Sequence, residues 1–417
     1  MLKKRLIKIA KKYPVSRSIR HTYIAQRNNV LRQFYKNVSI DAKTIIFEVF
    51  NGHSYSDSPR ALFEQMQSDD RFSDYKFIWV FREPAKYEFI ESYPRTIVIK
   101  YRTSQYYKAY ARSKYWITNA MIPLQVFKRD GQILVQCWHG TPLKRLRADI
   151  VETTKNAMNT VGDFIKKNDL DVGRYDYMIS PSKFASDKFT SAFRLRELNK
   201  QSVLIETGYP RNDFLINHTA EDESRIKQSL NLPLNKKILL YAPTWRDDQH
   251  DSAKGYVYQS PVDFDYLQRE LGDEYVILYR SHYLVANSFD FQSYDGFVYD
   301  VSQVDDISQL YVVSDALITD YSSVFFDYAN LERPIIFYMY DREYYKNQLR
   351  GFYIDVDTLP GDIVETDQAL VECLSDLDKY AQTHKLGYNK FNQTYTYLDN
   401  GQSGRKVIDI VFGGDKT

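Results

Sequence analysis

Cysteine and long apolar runs are what this sequence has least of. Only Cys137 and Cys373 occur among 417 residues, they lie in different halves of the chain, and neither belongs to a CxxC or Cys/His cluster. This pattern argues against a disulfide framework and a structural zinc site, and it favours a reducing cytoplasm. No apolar run approaches the ~20 residues that a membrane-spanning helix needs, and the start of the chain lacks the apolar region of a secretory signal.

Several nucleotide and metal motifs are also missing. The sequence contains no GxxxxGK followed by Ser or Thr, which argues against a P-loop enzyme. No GxGxxG opens a strand–helix unit, so a nicotinamide dehydrogenase has little support. The sequence also contains no HExxH segment, the pattern that would suggest a zinc site. We therefore expect no cofactor and no metal, and we expect cations and serines to neutralise any phosphate ligand.

Acidic residues are absent from the first 40 positions, which hold eleven of the 56 lysines and arginines. The rest of the chain carries 45 basic and 54 acidic side chains, so a positive arm precedes a mildly acidic body. In "MLKKRLIKIAKKY", apolar residues recur at helical spacing among lysines, which is typical of an amphipathic helix on an anionic membrane. A solvated helix packed on its own protein is the alternative. Nucleic acid attracts such arms too, but no base-reading module accompanies this one, so we expect no nucleic-acid partner.

Strand-like and helix-like segments alternate in two series. The first runs from "TIIFEVF" (44–50) to "SVLIETG" (202–208), and the second from "KKILLYAPTW" (236–245) to "PIIFYMYD" (334–341). Repeated βα units predict parallel sheets with helices on both faces, and two series predict two Rossmann-like domains facing each other. We assign residues 1–40 to the arm, 41–215 to the first domain and 216–417 to the second. The last helix of the second domain could pack back on the first domain instead. In such sheets ligands bind beyond the carboxyl ends of the strands.

The segment "QCWHGTPLKRL" (136–146) brings His139 from a strand to a glycine turn, with Lys144 and Arg145 close behind. A neutral imidazole there could take a proton from an attacking hydroxyl while the cations hold a phosphate. The alternative is a core histidine satisfied by the backbone, with the lysine simply exposed. Gly140, Thr141 and Lys144 are assigned to the acceptor side of the cleft together with His139.

The second series ends two strands in further candidates. "LYRSHY" places Arg280 and His282 on one face of a strand end, where they could grip a phosphate oxygen or could simply be solvated. In "LITDYSSVFFDYANLERPIIF", Ser322 and Ser323 precede a helix whose free N–H groups favour a phosphate. Ordinary N-capping by these serines is the alternative. Asp327 shares their helix face and could orient a ligand hydroxyl or be a surface charge.

Three shorter segments add candidates for the cleft. "YAPTWR" ends a strand with a polar and a basic residue, and Arg246 could pair with phosphate in a bidentate fork or lie exposed. "TGYPRNDFL" is a predicted hinge and cleft wall, and "FNGHSYSDSPRALFE" is a strand–helix junction of the first domain. The residues assigned from these segments are Thr244 and Arg246 on the donor side, and Arg211, Asp213, Asn51, Tyr55 and Asp57 on the acceptor side.

Five blocks resemble the CDP-glycerol glycerophosphotransferase family of teichoic-acid primases and polymerases: "WHGTPLK", "GYPRND", "YAPTWR", "DISQLYVVSDALITDYSSVFFDYANLERPIIFYMYD" and "RGFYIDVDTLPGDIV". The similarity runs from about residue 44 to the C-terminus. It implies a GT-B fold, with the CDP-linked donor on the C-terminal domain and a lipid-linked acceptor on the N-terminal half. The family's two catalytic or phosphate-handling histidines match His139 and His282, its serine pair matches Ser322 and Ser323, and its helix carboxylate matches Asp327. The chain departs from the family pattern at Tyr283 and Asp362, where prolines are usual.

The resemblance implies transfer of a polyol phosphate, with glycerol phosphate favoured, from a CDP-polyol to a hydroxyl of an undecaprenyl-type lipid-linked acceptor, with release of CMP. The reaction would take place at the cytoplasmic face of the cell membrane, and the product would be teichoic acid or a related wall or capsular polymer. A CDP-ribitol enzyme of the same family, a GT-B nucleotide-sugar glycosyltransferase and a non-catalytic polymer-binding scaffold are the alternatives, and a homo-oligomer is left open.

Overall fold

The computed structural model describes residue 26 and residues 28–150, 161–244, 250–251, 255–256, 261–281, 291–342 and 351–413. The first 25 residues of the predicted basic arm lie outside these ranges, as do the site candidates Arg246 and His282. Residues 28–35 are helical and lead into the first sheet. Within the described ranges, no helix combines the length and the hydropathy needed to cross a membrane.

The first half of the chain forms a parallel sheet of seven strands in the order β3-β2-β1-β4-β5-β6-β7. Its strands are β1 (Asp41–Glu48), β2 (Lys76–Phe81), β3 (Thr96–Lys100), β4 (Ser113–Thr118), β5 (Ile133–Gln136), β6 (Tyr177–Ser180) and β7 (Leu204–Glu206). The helices between them are α1 (Asp57–Gln67), α2 (Ser104–Arg112), α3 (Val161–Val172) and α4 (Lys183–Ala192).

The second half forms a parallel sheet of six strands in the order β12-β11-β8-β13-β14-β15. Two short helices lead into it, α5 (Asp213–Asn217) and α6 (Ala220–Ser229). The strands are β8 (Lys237–Ala242), β11 (Tyr275–Tyr279), β12 (Val298–Asp300), β13 (Ala316–Thr319), β14 (Ile335–Tyr338) and β15 (Ile363–Val364), and β9 (His250–Asp251) pairs antiparallel with β10 (Gly255–Tyr256). The remaining helices are α7 (Phe264–Leu271), α8 (Ile307–Val313), α9 (Val324–Tyr328), α10 (Asp367–Leu374), α11 (Leu377–Tyr395) and α12 (Ser403–Phe412).

Both sheets are buried on both faces, as parallel sheets require. In β1, Phe47 packs into one apolar cluster with Trp79, whereas its neighbour Ile46 packs into another with Val80 and Trp116 on the opposite face. The alternation follows from the two-residue period of a strand. The second sheet is likewise covered by two clusters. Two α/β sheets with helices on both sides confirm the predicted fold class.

The end of the chain returns to the first sheet. Helix α12 places Val407 and Val411 in the same apolar cluster as Phe47. Its first two N–H groups, from Ser403 and Gly404, are each 2.8 Å from a carboxylate oxygen of Asp213. A carboxylate at this end neutralises the unpaired N–H groups and the positive end of the helix dipole. Asp213 therefore fixes the point at which the chain re-enters the first half.

Glu48, at the end of β1, is a buried carboxyl that makes stability depend on pH. Burial raises its pKa from 4.5 to about 7, against the opposing hydrogen bond that Tyr110 Oη donates to Glu48 Oε2 at 2.7 Å. Because this folded-state pKa is raised, the protonated carboxyl stabilises the fold fully below about pH 4, and the contribution is lost as pH rises toward 7.

We therefore expect the free energy of unfolding of Glu48→Gln to vary less with pH between 4.5 and 7 than that of the wild type. Urea denaturation at several pH values measures the difference. The matched change at an exposed position, Glu88→Gln, should keep the wild-type dependence. Equal slopes for Glu48→Gln and the wild type would contradict this account.

Candidate active site

The carboxyl ends of the two sheets face a common cavity of about 520 Å³. The first half contributes Asn51, Asp57, His139 and Arg147 to its lining. The second half contributes Arg280, Ser302, Ser322, Ser323 and Asp327, and the connection between the halves contributes Arg211. The structure thus brings the imidazole and the serine pair to one crevice, at the edge where ligands bind parallel sheets.

His139 is presented by a strained turn after β5. Trp138 adopts a left-handed φ of +55°, which is uncommon for a bulky residue and typical of functional sites. The His139 ring lies 4.2 Å from the Trp138 ring and 5.7 Å from the Phe50 ring, measured between centroids. Its Nδ1 is 2.7 Å from the backbone carbonyl oxygen of Asn119. Because a carbonyl only accepts, Nδ1 carries the proton in the neutral ring and the lone pair is on Nε2.

The surroundings keep this imidazole neutral. Desolvation lowers the pKa of His139, although the residue is exposed where it lines the cavity. The hydrogen bond to Asn119 and the charge of Asp57 oppose the shift, and the charges of Arg211 and Arg147 add to it. A neutral ring with a free Nε2 lone pair is the form that a general base requires.

Gly140 lies directly against the serine pair of the second half. A Cβ atom at this position would lie 2.7 Å from Ser323 Oγ and 3.4 Å from Ser323 Cβ. The Ser323 side chain caps no N–H of α9, and the Val324 N–H lies 3.5 Å from Ser322 Oγ, at the limit of a hydrogen bond. Capping therefore does not explain this serine pair, and the hydroxyls lie within reach of a ligand.

We expect Gly140→Ala to weaken binding of the nucleotide donor that the family resemblance implies more than it weakens the fold. The added methyl group would displace the Ser323 hydroxyl, which can rotate, so the cost falls on the position of the hydroxyl. We predict a raised KM for the nucleotide donor with the melting temperature lowered by only a few degrees. Gly387→Ala is the control, because a Cβ in this part of α11 meets nothing within 4 Å and should stabilise the helix slightly.

Arg280, after β11, lies across the cavity from the first sheet. Its Nη1 donates to the carbonyl oxygens of Val301 at 3.2 Å and Val304 at 2.6 Å, which fixes the guanidinium at the cavity wall. Burial lowers its pKa, while the charges of Asp306 and Asp305 act in the opposite direction. A fixed guanidinium with further N–H groups suits an anionic ligand.

Asp327 and Arg211 pair with each other. Arg211 Nε and Nη2 lie 3.1 and 3.0 Å from the two carboxylate oxygens of Asp327, and its Nη1 lies 3.0 Å from Asp57 Oδ1. All three side chains are at most 10% exposed. The carboxylate predicted to contact the donor is thus held by an arginine from the predicted hinge.

Four further predicted site residues, Asn51, Tyr55, Thr141 and Thr244, differ in their position relative to the cavity. Asn51 lines the cavity with a left-handed φ of +59°. Tyr55 is buried in the aromatic core of the first half, and its hydroxyl donates to Glu64. Thr141 is buried, and the Thr244 N–H donates to Asp320 at 2.8 Å.

The Lys144 backbone forms an antiparallel bridge with Phe352 of the second half. The neighbouring hydrogen bonds, Arg145 N to Gly351 O and Tyr353 N to Leu143 O, are both 2.8 Å long. Lys144 thus lies in a segment that joins the two halves beside the cavity.

Two residues of the site have no role in the sequence-based predictions, Arg147 in the cavity lining and the buried Asn119 behind it. Arg147 stacks on the Trp138 ring at 5.4 Å and donates to Asn168, and it adds a cation beside His139. Asn119 directly follows β4 and provides the carbonyl that fixes His139. Arg147 follows the two predicted cations in the same basic loop, which was a usable signal, whereas nothing in "YWITNA" marks Asn119. Among the residues that the structure describes, no group of three or more His, Cys, Asp or Glu side chains is arranged to hold a metal.

The family model described as CDP-Glycerol:Poly(glycerophosphate) glycerophosphotransferase matches residues 30–413. The chain belongs to this family. Among the curated proteins similar to it are the teichoic acid poly(glycerol phosphate) polymerases of Staphylococcus epidermidis strain RP62A, 39% identical over 404 residues, and of Bacillus subtilis strain 168, 40% identical over 418 residues. The alignments cover 95% and 98% of this chain. They cover 55% and 54% of the relatives, so the chain spans about half the length of these two polymerases.

Solved structures of the wall teichoic acid polymerase TagF are similar to this member of the glycerophosphotransferase family throughout its length. One of them, a histidine-to-asparagine variant soaked with CDPG, has a TM-score of 0.83 and 37% identity, and the match covers 95% of this chain and 96% of that one. The match supports the GT-B arrangement that the sequence predicts.

Proposed function

We propose that this protein transfers glycerol phosphate from CDP-glycerol to a hydroxyl group of a teichoic-acid acceptor and releases CMP. The observation that carries the proposal is the shared cavity, in which His139 from the first sheet faces the Ser322–Ser323 pair and Arg280 from the second. A single base opposite an array of phosphate-binding donors is what in-line transfer to phosphorus requires. Membership of the glycerophosphotransferase family supplies the donor class.

In the proposed mechanism, His139 Nε2 takes the proton of the acceptor hydroxyl. The oxygen attacks the phosphorus that carries the glycerol, a new phosphorus–oxygen bond forms, and the bond to CMP breaks on the opposite side. Arg280, Ser322 and Ser323 hold the diphosphate and stabilise the charge that develops on it. On the basis of the sequence alone, we include His282 and Arg246 among the residues that hold the diphosphate. Base catalysis contributes about 10²–10⁴-fold, and positioning and charge stabilisation contribute the rest.

A donor panel tests the reaction. CMP release would be measured with CDP-glycerol, CDP-ribitol and a UDP-sugar in the presence of a glycerol-phosphate-primed acceptor. We expect turnover of CDP-glycerol. Turnover of CDP-ribitol alone would favour a ribitol enzyme, since relatives named for both polyols exist. Turnover of the UDP-sugar alone would replace the proposal with a glycosyltransferase, and tight CDP-glycerol binding without CMP release would favour a scaffold.

The proposed acceptor is attached to an undecaprenyl-type lipid, so we also propose that the protein works as a peripheral protein at the cytoplasmic face of the membrane. The basic, amphipathic sequence of the first residues supports this location. Co-sedimentation of the full chain with anionic and with neutral vesicles tests it. Equal recovery with both vesicle types would contradict an electrostatic contribution to membrane binding.

A further inference from the structure

A continuous set of buried hydrogen bonds leads from the donor-side helix to the ring of His139. It begins at Asp327 on α9, directly after the serine pair, and passes through the Arg211 guanidinium to Asp57. Asp57 Oδ2 then accepts a 2.6 Å hydrogen bond from the Asn119 side chain, whose residue also supplies the carbonyl that holds His139 Nδ1. Every group in this set is at most 10% exposed before the imidazole is reached.

Asn119 is the member that sets the orientation of the ring. Its residue is fully buried, its Oδ1 accepts the N–H of Phe50 at 2.9 Å, and its Nδ2 donates to Asp57. With both ends of the side chain bonded, the backbone carbonyl is confined to one direction. The Phe50 ring packs edge-on against the same imidazole, so the bond to Phe50 places a second contact of His139 as well.

Asp57 is held in a conformation that an aspartate adopts at a cost. Its φ is +61°, although the residue opens helix α1. A left-handed conformation of this kind costs about 1–3 kcal/mol and persists where the surrounding bonds determine it. Here the carboxylate is held by Arg211, Asn119 and the N–H of Ser58 at 2.6 Å. Backbone strain of this kind clusters at functional sites, and Asp57 is bonded to the residue that holds His139.

We propose that Asp57 is a positioning residue for His139, and that Arg211 connects this position to the helix behind the donor serines. The inference rests on the proposed function, because it assigns a role in the transfer step. Asp57 fixes Asn119 so that its carbonyl accepts Nδ1–H and Nε2 stays free, and its negative charge stabilises the imidazolium that forms when the base takes the proton. The donor helix and the base are thereby placed by one set of contacts.

The charged groups around the imidazole decide what the variant should do. Asp57 favours the protonated ring, whereas Arg211 and Arg147 disfavour it. Across the cavity, Arg280 and Asp327 belong to the second half. Removing the negative charge of Asp57 removes the charge that favours the protonated ring, while Arg147 and the Asp327-paired Arg211 remain. The Asp57→Asn variant should therefore bind a proton at His139 only at a lower pH, and should be a weaker base.

The test combines a titration with a rate measurement. In protein labelled with ¹⁵N-histidine, the His139 signals are identified as those missing from His139→Gln. We expect protonated Nδ1 in the neutral wild-type ring, and a lower titration midpoint in Asp57→Asn. We also expect kcat for CMP release to fall at least about tenfold, because a displaced base loses part of the 10²–10⁴-fold effect of base catalysis. An unchanged midpoint, or a shifted midpoint with unchanged kcat, would overturn the proposal.

Two further variants separate positioning from folding. Asp315→Asn is the matched control, because Asp315 Oδ2 accepts a backbone N–H from Ile238 at 2.7 Å at the opposite end of the second sheet. It should lower stability without moving the titration of His139. Should Asp57→Asn not fold, Asn119→Ser carries the test: it keeps both charges, and it should lower kcat and mix the two ring tautomers. A wild type without CDP-glycerol turnover would contradict the proposed function. The titration of His139 needs no substrate, so its midpoint in Asp57→Asn still decides this inference.

Discussion

His139→Gln should lower the rate of CMP release from CDP-glycerol by about 10²–10⁴-fold, because this range is what a positioned general base contributes. Glutamine can still donate to the Asn119 carbonyl that now holds Nδ1, so the turn after β5 should keep its shape. It has no lone pair that can take a proton near neutral pH. We therefore expect the melting temperature to change little while the rate collapses. Single-turnover measurements with radiolabelled donor would separate the chemical step from product release.

The control for this variant is His218→Gln. His218 Nδ1 contacts the Leu215 carbonyl at 2.9 Å and Nε2 contacts Glu223, so its bonding resembles that of His139, but it does not line the cavity. It should retain the wild-type rate. Because burial lowers the pKa of His139, the wild-type rate should fall only as the pH drops below about 6.5. Full activity of His139→Gln would remove the base from the mechanism.

Arg211→Met should lower the free energy of unfolding by about 3–5 kcal/mol, the cost of breaking a buried ion pair from one side. The guanidinium is 9% exposed and serves two carboxylates, Asp57 and Asp327, that are 7% and 10% exposed. Its loss would leave two negative charges without a cation in a site from which water is largely excluded. Urea denaturation, followed by tryptophan fluorescence, measures the change.

Two comparisons make the Arg211 prediction specific. Arg71→Met removes an arginine that is 40% exposed and contacts Asp69 and Asp409, so it should cost less than about 1 kcal/mol. Changing Asp57 and Asp327 to Asn in the Arg211→Met background removes the unpaired charges, and should recover part of the lost stability. A triple variant no more stable than Arg211→Met would show that packing, not charge, dominates at this position.

The sequence predicted the sheets well because the signal for a buried parallel strand is local. Each apolar run in the two series contains or overlaps a strand: 44–50 overlaps β1 (Asp41–Glu48), and 334–341 contains β14 (Ile335–Tyr338). His139, Ser322 and Ser323 were selected by the same rule, since each follows the carboxyl end of such a strand. Their meeting in one cavity follows from the facing sheets.

The contacts that hold the site together could not be predicted in this way. Arg211 contacts Asp57 and Asp327 across 154 and 116 positions of sequence, and Asn119 contacts Asp57 across 62. No periodic pattern encodes such pairs. The local patterns place Arg211 in a predicted hinge and Asp327 at the predicted donor side, but nothing in either pattern indicates that the two residues pair. In the sequence, Asn119 is only a polar residue after an apolar run. Its contacts with Asp57 and Phe50 are visible only in the structure.

Within the part of the chain that the structure describes, the return of α12 to the first half adds a second passage of the polypeptide between the halves. The two passages touch: the Tyr209 N–H and the Asn212 side chain each donate to Asp399 at 2.7 Å, and a Cβ at Gly208 would collide with Ser403 and Leu398. A single connecting segment would allow the halves to rotate in any direction. Two connecting segments that contact each other restrict the rotation to one axis. Any opening of the crevice should therefore be a rotation about a single axis. A cross-link between the two passages should leave that rotation intact, whereas one between the segments around Lys144 and Phe352 should lock the crevice shut.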